Sequence, residues 1–248
     1  MIRQLCILPI LLICNYVQAY TILIDPGHGG DDIGAKKNFP NPLNHRENIE
    51  VLEKYLTLDL SKKIFHELQN EFTVFLTRSI DRTMTLEERS NLAEKVNADL
   101  YVSVHFNAGP NPESHGLETY YLDNHENAAV KKIEKVENAH LSGQDLVANK
   151  ILIDMLIERT APHSKLLASL VHQELKRTVS GPYKMANRGI RPGLFYVLAL
   201  SKRPAILLDA GFLTNPREVK KLLDPRFQQQ YAKAVARGIH AFFLRKKK

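Results

Sequence analysis

The sequence predicts a single α/β domain, built as a twisted, mostly parallel sheet flanked by helices and carrying a helical insert. Short apolar, β-branched runs alternate along the chain with segments of helical periodicity, the pattern of strand-helix units around a parallel sheet. No internal repeat, low-complexity linker or shift in composition divides the chain. Its 248 residues, 44% hydrophobic and 25% charged, suffice for one large domain with a sizeable core.

The first nineteen residues stand apart. Arg3 gives a short positive region, Leu5 to Cys14 an apolar stretch interrupted by Pro9, and Val17-Gln18-Ala19 a small-residue cleavage pattern. Residues 1–19 are therefore expected to be a cleaved signal peptide and 20–248 the mature domain, in the periplasm or secreted. Both cysteines, Cys6 and Cys14, lie in this leader. The mature chain then has no disulfide, no cysteine nucleophile and no thiolate ligand, so a metal site has only histidine and carboxylate to draw on. A net charge of +7 favours a polyanionic neighbourhood, whether nucleic acid, an anionic membrane face or an anionic cell-wall polymer, and charge does not choose among them. Nucleic acid is not expected, because export fits it poorly and no basic stripe interleaved with aromatics is present.

The mature chain opens with Thr21-Ile22-Leu23-Ile24, a buried strand ended by Pro26-Gly27, and a glycine turn then presents His28 at the mouth of the sheet. This position suits a metal ligand or a base; a satisfied loop histidine is the plainer alternative. Neither GxGxxG nor GxxxxGK[ST] is present, which argues against a phosphate loop. Asp31 to Asn48 reads as loop. Leu56, Leu60, Ile64 and Leu68 mark a helix whose apolar stripe, extended back one turn, lands on Glu53. A carboxylate facing the core needs a partner, and a metal ion is one; an exposed glutamate at a helix N-terminus is the alternative. Glu47 and Glu50 fit the stripe less well.

Val74 to Arg78 is a second strand, and Thr85 with Glu88 has the form of a capping box opening a helix to about Asn97 with Leu92 and Val96 inward. Leu100 to Ala108 is a strand that delivers His105 at its carboxyl end, where open α/β sheets place their sites. Gly116 to Leu122 is another strand. Residues 123–177 form the helical insert, whose His125, His140, His163 and His172 are expected at the surface or in packing. Gly181 to Pro192 reads as a basic loop with Arg188 and Arg191. Phe195 to Leu198 and Ala205 to Leu208 read as short strands, the second ending in Asp209. Helices follow Asn215-Pro216 and Asp224-Pro225, the last with a basic end.

His28, Glu53 and His105 together make the two-imidazole, one-carboxylate donor set of a catalytic zinc site. Zinc at such a site suits hydrolysis of an amide. The water still requires a proton acceptor that later protonates the leaving amine, and Asp209, closing an apolar strand, is the best-placed group.

The chain resembles the zinc-dependent N-acetylmuramoyl-L-alanine amidases of bacterial cell walls (type 3) from about Thr21 to Phe243. The resemblance is carried by Ile24-Asp25-Pro26-Gly27-His28-Gly29-Gly30, Glu53-Lys54 with Leu58, Leu86 with Arg89, the run Ala98 to Ala108, and Gly211-Phe212-Leu213-Thr214-Asn215. It implies Zn2+ held by His28, Glu53 and His105, with cleavage of the bond between N-acetylmuramic acid and L-alanine in peptidoglycan or a lipid-linked muropeptide. Asn107, Arg188 and Arg191 are the substrate-binding candidates. A monomer is expected, with any protein activator unidentified.

Two departures stand out. Asp209 occupies the place where the family usually carries its catalytic glutamate. Residues 123–177 are similar to the inhibitory insert of division-associated members, including Glu137-Asn138-Ala139, but Gly143 to Lys150 looks shortened, which argues against self-blocking. Two other functions stay open: a zinc peptidase cutting D-amino acids of the stem, and a non-catalytic peptidoglycan-binding protein. The serine-enzyme motifs S-x-x-K, S-D-N and K-T-G are absent.

Overall fold

Alternation along the strands assigns the two faces of the sheet. Successive side chains of a strand point to opposite faces, so Ile22, Ile24, Val102, Val104, Ile206 and Leu208 join one buried cluster while Leu23, Tyr101, Ala205 and Leu207 join another. A computed structural model describes residues 20–40, 47–139 and 150–246 of the chain. The expected signal peptide, His140 and the stretch 143–149 lie outside the described residues.

The strands are β1 (Thr21–Pro26), β2 (Lys36–Pro40), β3 (Asn48–Leu52), β4 (Thr73–Leu76), β5 (Leu100–Asn107), β6 (Leu117–Leu122), β7 (Asn187–Gly193) and β8 (Ala205–Phe212). The helices are α1 (Glu53–Leu68), α2 (Leu86–Lys95), α3 (Ala128–Glu137), α4 (Lys150–Leu175), α5 (Tyr196–Leu200), α6 (Pro216–Leu222) and α7 (Pro225–Lys246). The main sheet runs β4-β1-β5-β8-β6-β7. Every pairing in it is parallel except that between β6 and β8. The first cluster packs beneath α1, α4 and α7, through residues such as Leu60, Val171 and Ile239. The second lies beneath α2, α3 and α5, through Ala93, Val130 and Leu198. Among the described residues, no helix is long and apolar enough to cross a membrane.

The helix starts follow local chemistry. Thr85 and Glu88 form the capping box, with the Thr85 hydroxyl accepting from the Glu88 amide at 3.1 Å and the Glu88 carboxylate accepting from the Thr85 amide at 2.8 Å. Asn215 caps α6 ahead of Pro216. Leu92 and Val96 are half-buried against the second cluster.

Three segments differ from the sequence reading. Residues 31–48 contain β2, which pairs antiparallel with β3 as a separate hairpin leading directly into α1. The expected basic loop keeps its turn over 181–186, but from Asn187 it becomes edge strand β7, which pairs with β6 in the sheet, and this position tolerates Pro192. Phe195 to Leu198 is not a strand but the entry to α5, where the amides of Leu198 and Ala199 both donate to the Phe195 carbonyl. Among the insert's histidines, His163 is exposed, and His172 is buried between Thr119 and Asn187 at 2.9 and 2.6 Å.

Candidate metal centre

On the face that holds Leu23, Tyr101 and Leu207, the lining turns polar toward the carboxyl ends of the strands: first Asp25 and Ser103, then His105 and Asp209. The register sets His105 beside Asp209, and Asp209 beside Glu118 of the reversed strand β6. In-register neighbours share a face.

His28 reaches this row from the turn after β1. It adopts the left-handed conformation, φ 61°, which is uncommon outside glycine. Two buried arginines fix the turn by its carbonyl oxygens. Arg89 donates to Asp25 Oδ1 at 2.7 Å, the Pro26 carbonyl at 2.8 Å and the His28 carbonyl at 2.6 Å, and Arg78 donates to the Gly27 carbonyl at 2.8 Å. Gly27 has to be glycine because a Cβ there would lie 2.4 Å from the His105 ring. Gly34, at φ 63°, clears room in the same way, since its Cβ would meet His28 at 2.6 Å and Glu53 at 2.7 Å.

Glu53 is the first residue of α1 and almost fully buried. Its carboxylate is held by two backbone amides, Phe106 to Oε1 at 2.9 Å and Ala35 to Oε2 at 2.8 Å. Oε1 then lies 3.2 Å from His28 Nε2 and 3.3 Å from His105 Nδ1. Those two nitrogens are buried and have no hydrogen-bond partner among the described residues. The other nitrogen of His28, Nδ1, bonds Asp32 Oδ2 at 2.9 Å, the carboxylate-imidazole pairing that orients metal-bound histidines.

A fourth side chain completes the ring. Glu137, the last residue of α3, brings Oε2 to 3.2 Å from His105 Nδ1 and 3.9 Å from His28 Nε2. One oxygen of Glu137 and the two imidazole nitrogens lie within 4.8 Å of one another, the spacing of a shared cation. The stretch 143–149, on which the expectation about self-blocking turns, lies outside the described residues, and Glu137 lies upstream of it.

The charges agree with a cation site. Burial disfavours a charged His28, yet the carboxylates of Glu53, Asp32 and Glu137 outweigh it and raise its proton affinity well above that of an ordinary imidazole. Burial likewise opposes the charge on Glu53, but the two imidazoles hold its carboxyl below the usual range. Glu137 goes the other way, raised by burial and by the charges of Glu53 and Asp32 against the pull of the imidazoles. Two carboxylates sharing one site divide in this manner. Two orphaned nitrogens and a pinned carboxylate, all oxygen and nitrogen donors, fit zinc.

The remaining candidates have defined places. Asp209 is buried, and burial together with the charges of Glu118, Glu137 and Glu53 raises its carboxyl well above the ordinary range. Asn107 Nδ2 donates to Asp209 Oδ2 at 3.2 Å and to Glu118 Oε2 at 3.0 Å. Arg188 donates through Nε to Glu118, and Arg191 Nε lies 3.5 Å from the same carboxylate. Glu50 points outward and pairs with Lys36, and Glu47 is exposed.

Asp32, Glu118 and Glu137 went unnamed as site residues. Asp32 follows His28 by four residues in a tight turn, which was a readable signal. Glu118 alternates with Tyr120 on a strand whose neighbours are apolar. Glu137 closes an amphipathic helix, and its signal in the sequence is the likeness of Glu137-Asn138-Ala139 to the inhibitory insert of division-associated members.

The N-acetylmuramoyl-L-alanine amidase family Amidase_3 matches residues 22–241. This chain belongs to that amidase family. Among curated relatives, the amidase AmiA of Escherichia coli K12 is 28% identical over 232 residues, covering 90% of this chain and 75% of AmiA. Among solved structures, an amidase from Clostridium difficile 630 superposes with a TM-score of 0.67 at 29% identity, covering 92% of this chain and 98% of that one. The amidase CwlD of Clostridioides difficile, solved in complex with the GerS lipoprotein, gives a TM-score of 0.66 at 25% identity over 91% of this chain and 98% of CwlD. The likeness to these amidase structures accounts for the mostly parallel sheet flanked by helices.

Proposed function

We propose that this chain is an exported zinc amidase that hydrolyses the bond between N-acetylmuramic acid and L-alanine, in peptidoglycan or its lipid-linked precursor. The observation that carries the reading is the convergence of His28 Nε2 and His105 Nδ1, both buried and without a hydrogen bond among the described residues, on one oxygen of Glu53, in a chain of the amidase family. His28, Glu53 and His105 would hold the zinc, which supplies Lewis acidity toward water and toward the amide carbonyl.

The chain's own groups supply the proton transfers. Asp209, beside His105 in the sheet, takes a proton from the attacking water and returns it to the leaving amine. Its raised proton affinity suits both halves of that cycle. Asn107 steadies the Asp209 carboxylate, and Arg188 and Arg191 give the cleft a positive rim for the carboxylates of the stem peptide.

Glu137 occupies the position that substrate needs, so α3 acts as a plug and the resting monomer is self-blocked. A protein that draws α3 away would be an activator; the relative CwlD was solved in complex with the GerS lipoprotein. The leader 1–19 and the basic charge support a periplasmic or secreted site beside an anionic wall.

Mature protein, with and without Glu137→Ala, is incubated with muropeptides in the presence and absence of a chelator. Metal-dependent release of the intact stem peptide is expected. Release untouched by the chelator, or no release from either form, would overturn the reading. Mass spectrometry separates the amidase product from fragments cut at D-amino acids. Wall binding without any cleavage would identify a non-catalytic binder.

A further inference from the structure

Glu118 lies outside the donor set yet is among the most heavily bonded side chains of the sheet. It is 1% exposed, and hydrogen-bond donors approach it from three directions. Tyr120 donates its hydroxyl to Oε2 at 2.5 Å, and Asn107 donates Nδ2 to the same oxygen at 3.0 Å. Arg188 Nε donates to Oε1, and Arg191 Nε lies 3.5 Å from it. Glu118 can only accept in this arrangement, because every neighbour offers a hydrogen.

That one-way character is passed to Asn107. An amide has a donor end and an acceptor end. With Glu118 accepting, the NH2 end must face it, and the second hydrogen of the same NH2 group reaches Asp209 Oδ2 at 3.2 Å. Reversing the amide would aim its oxygen at the Glu118 carboxylate, and this the clamp forbids. The constraint matters more here than with a longer side chain, because aspartate is one methylene shorter than glutamate and has less freedom to recover its aim.

We propose that Glu118 is a positioning residue: clamped by Arg188 and Tyr120, it fixes the direction of the Asn107 amide and thereby aims the Asp209 carboxylate at the reaction centre. The proposal rests on the amidase reading for its kinetic arm only.

In Glu118→Gln the single remaining oxygen stays with Arg188, which can only donate, so the new NH2 group faces Asn107 and Tyr120, the Asn107 amide turns over and its NH2 leaves Asp209. Steady-state kinetics on muropeptides should show kcat reduced on the order of 10- to 100-fold, with KM within about 2-fold and zinc content unchanged. In the Asp209→Glu background the same substitution should cost several-fold less, since the longer side chain no longer depends on that one contact. An unchanged kcat, a loss confined to KM, or an equal factor in both backgrounds would overturn the proposal. Crystal structures of the parent and of Glu118→Gln give a readout independent of turnover: the contact between Asn107 Nδ2 and Asp209 should be lost, and its persistence would overturn the proposal even if the parent releases no stem peptide and the amidase reading itself fails. If Glu118→Gln does not fold, Tyr120→Phe removes one donor of the clamp and should move kcat and the contact the same way, by less; no movement in either would count against the proposal.

Discussion

Glu137 Oε2 lies 3.2 Å from His105 Nδ1, so the end of helix α3 and the end of strand β5 meet at the centre that β1 and α1 build from the other side. The helix is seated by more than this contact. Glu134 accepts from His125 and from the Leu194 amide, each at 2.5 Å, and Asn138 bonds the Leu194 carbonyl at 2.8 Å and the Tyr196 amide at 3.0 Å.

Removing the plug's carboxylate should open the site. Glu137→Ala is expected to raise stem-peptide release by roughly 10-fold or more, the equivalent of about 1.4 kcal/mol of blocking free energy. Rates equal to the parent's would show that Glu137 does not occlude substrate.

Orientation of His28 through Asp32 should appear in metal affinity. Asp32→Asn removes the charged partner of His28 Nδ1, and zinc affinity measured by competition with a chromophoric chelator should fall roughly 10- to 100-fold. Unaltered affinity would mean that the glycine turn alone holds the ring.

Proton transfer by Asp209 should be visible in its neutral isostere. Asp209→Asn keeps shape but cannot take a proton, and kcat should fall by about 10²- to 10⁴-fold with zinc still bound. A loss smaller than about 5-fold would assign the base elsewhere.

Asp25 sets the acid limit of the fold. Burial works against its charge, but Arg89 and Thr77 hold its carboxyl at about 2, below the ordinary 3.8. The folded carboxyl is therefore the stronger acid. Its contribution of about 2 kcal/mol is fully present above pH 4 and is lost as pH falls toward 2, because the unfolded chain takes up the proton first. Urea midpoints measured between pH 5 and 2 should decline less steeply in Asp25→Asn than in the parent; identical slopes would remove Asp25 from the account.

Much of this arrangement is legible in the sequence because strand ends and helix starts have local signatures. His28 and His105 each end an apolar run, and Glu53 sits where the Leu56-Leu60-Ile64 stripe begins, so each of the three stands out in the sequence without any knowledge of packing. What escaped depends on pairing rather than on composition. Asn187 to Gly193 has the glycine, proline and charge of a loop, and becomes strand β7 only because β6 offers it a free edge. Phe195 to Leu198 is too short for periodicity to separate strand from helix, and burial of Leu198 and Ala199 in the second cluster decided it. The approach of Glu137 to the imidazoles is not legible locally, because it follows from where α3 docks, and that is set by Leu194 and Tyr196, more than fifty residues away.

The reversed direction of β6 has a geometric result. Entering the sheet against β8, this strand begins at the metal centre beside Asp209 and carries the chain away from it, and the polypeptide returns through α3, whose final residue arrives at the imidazoles. Delivery of that carboxylate is thus a matter of helical phase: one residue added within α3 would turn Glu137 by about 100° about the helix axis, whereas changes in length beyond Asn138 leave its bearing alone.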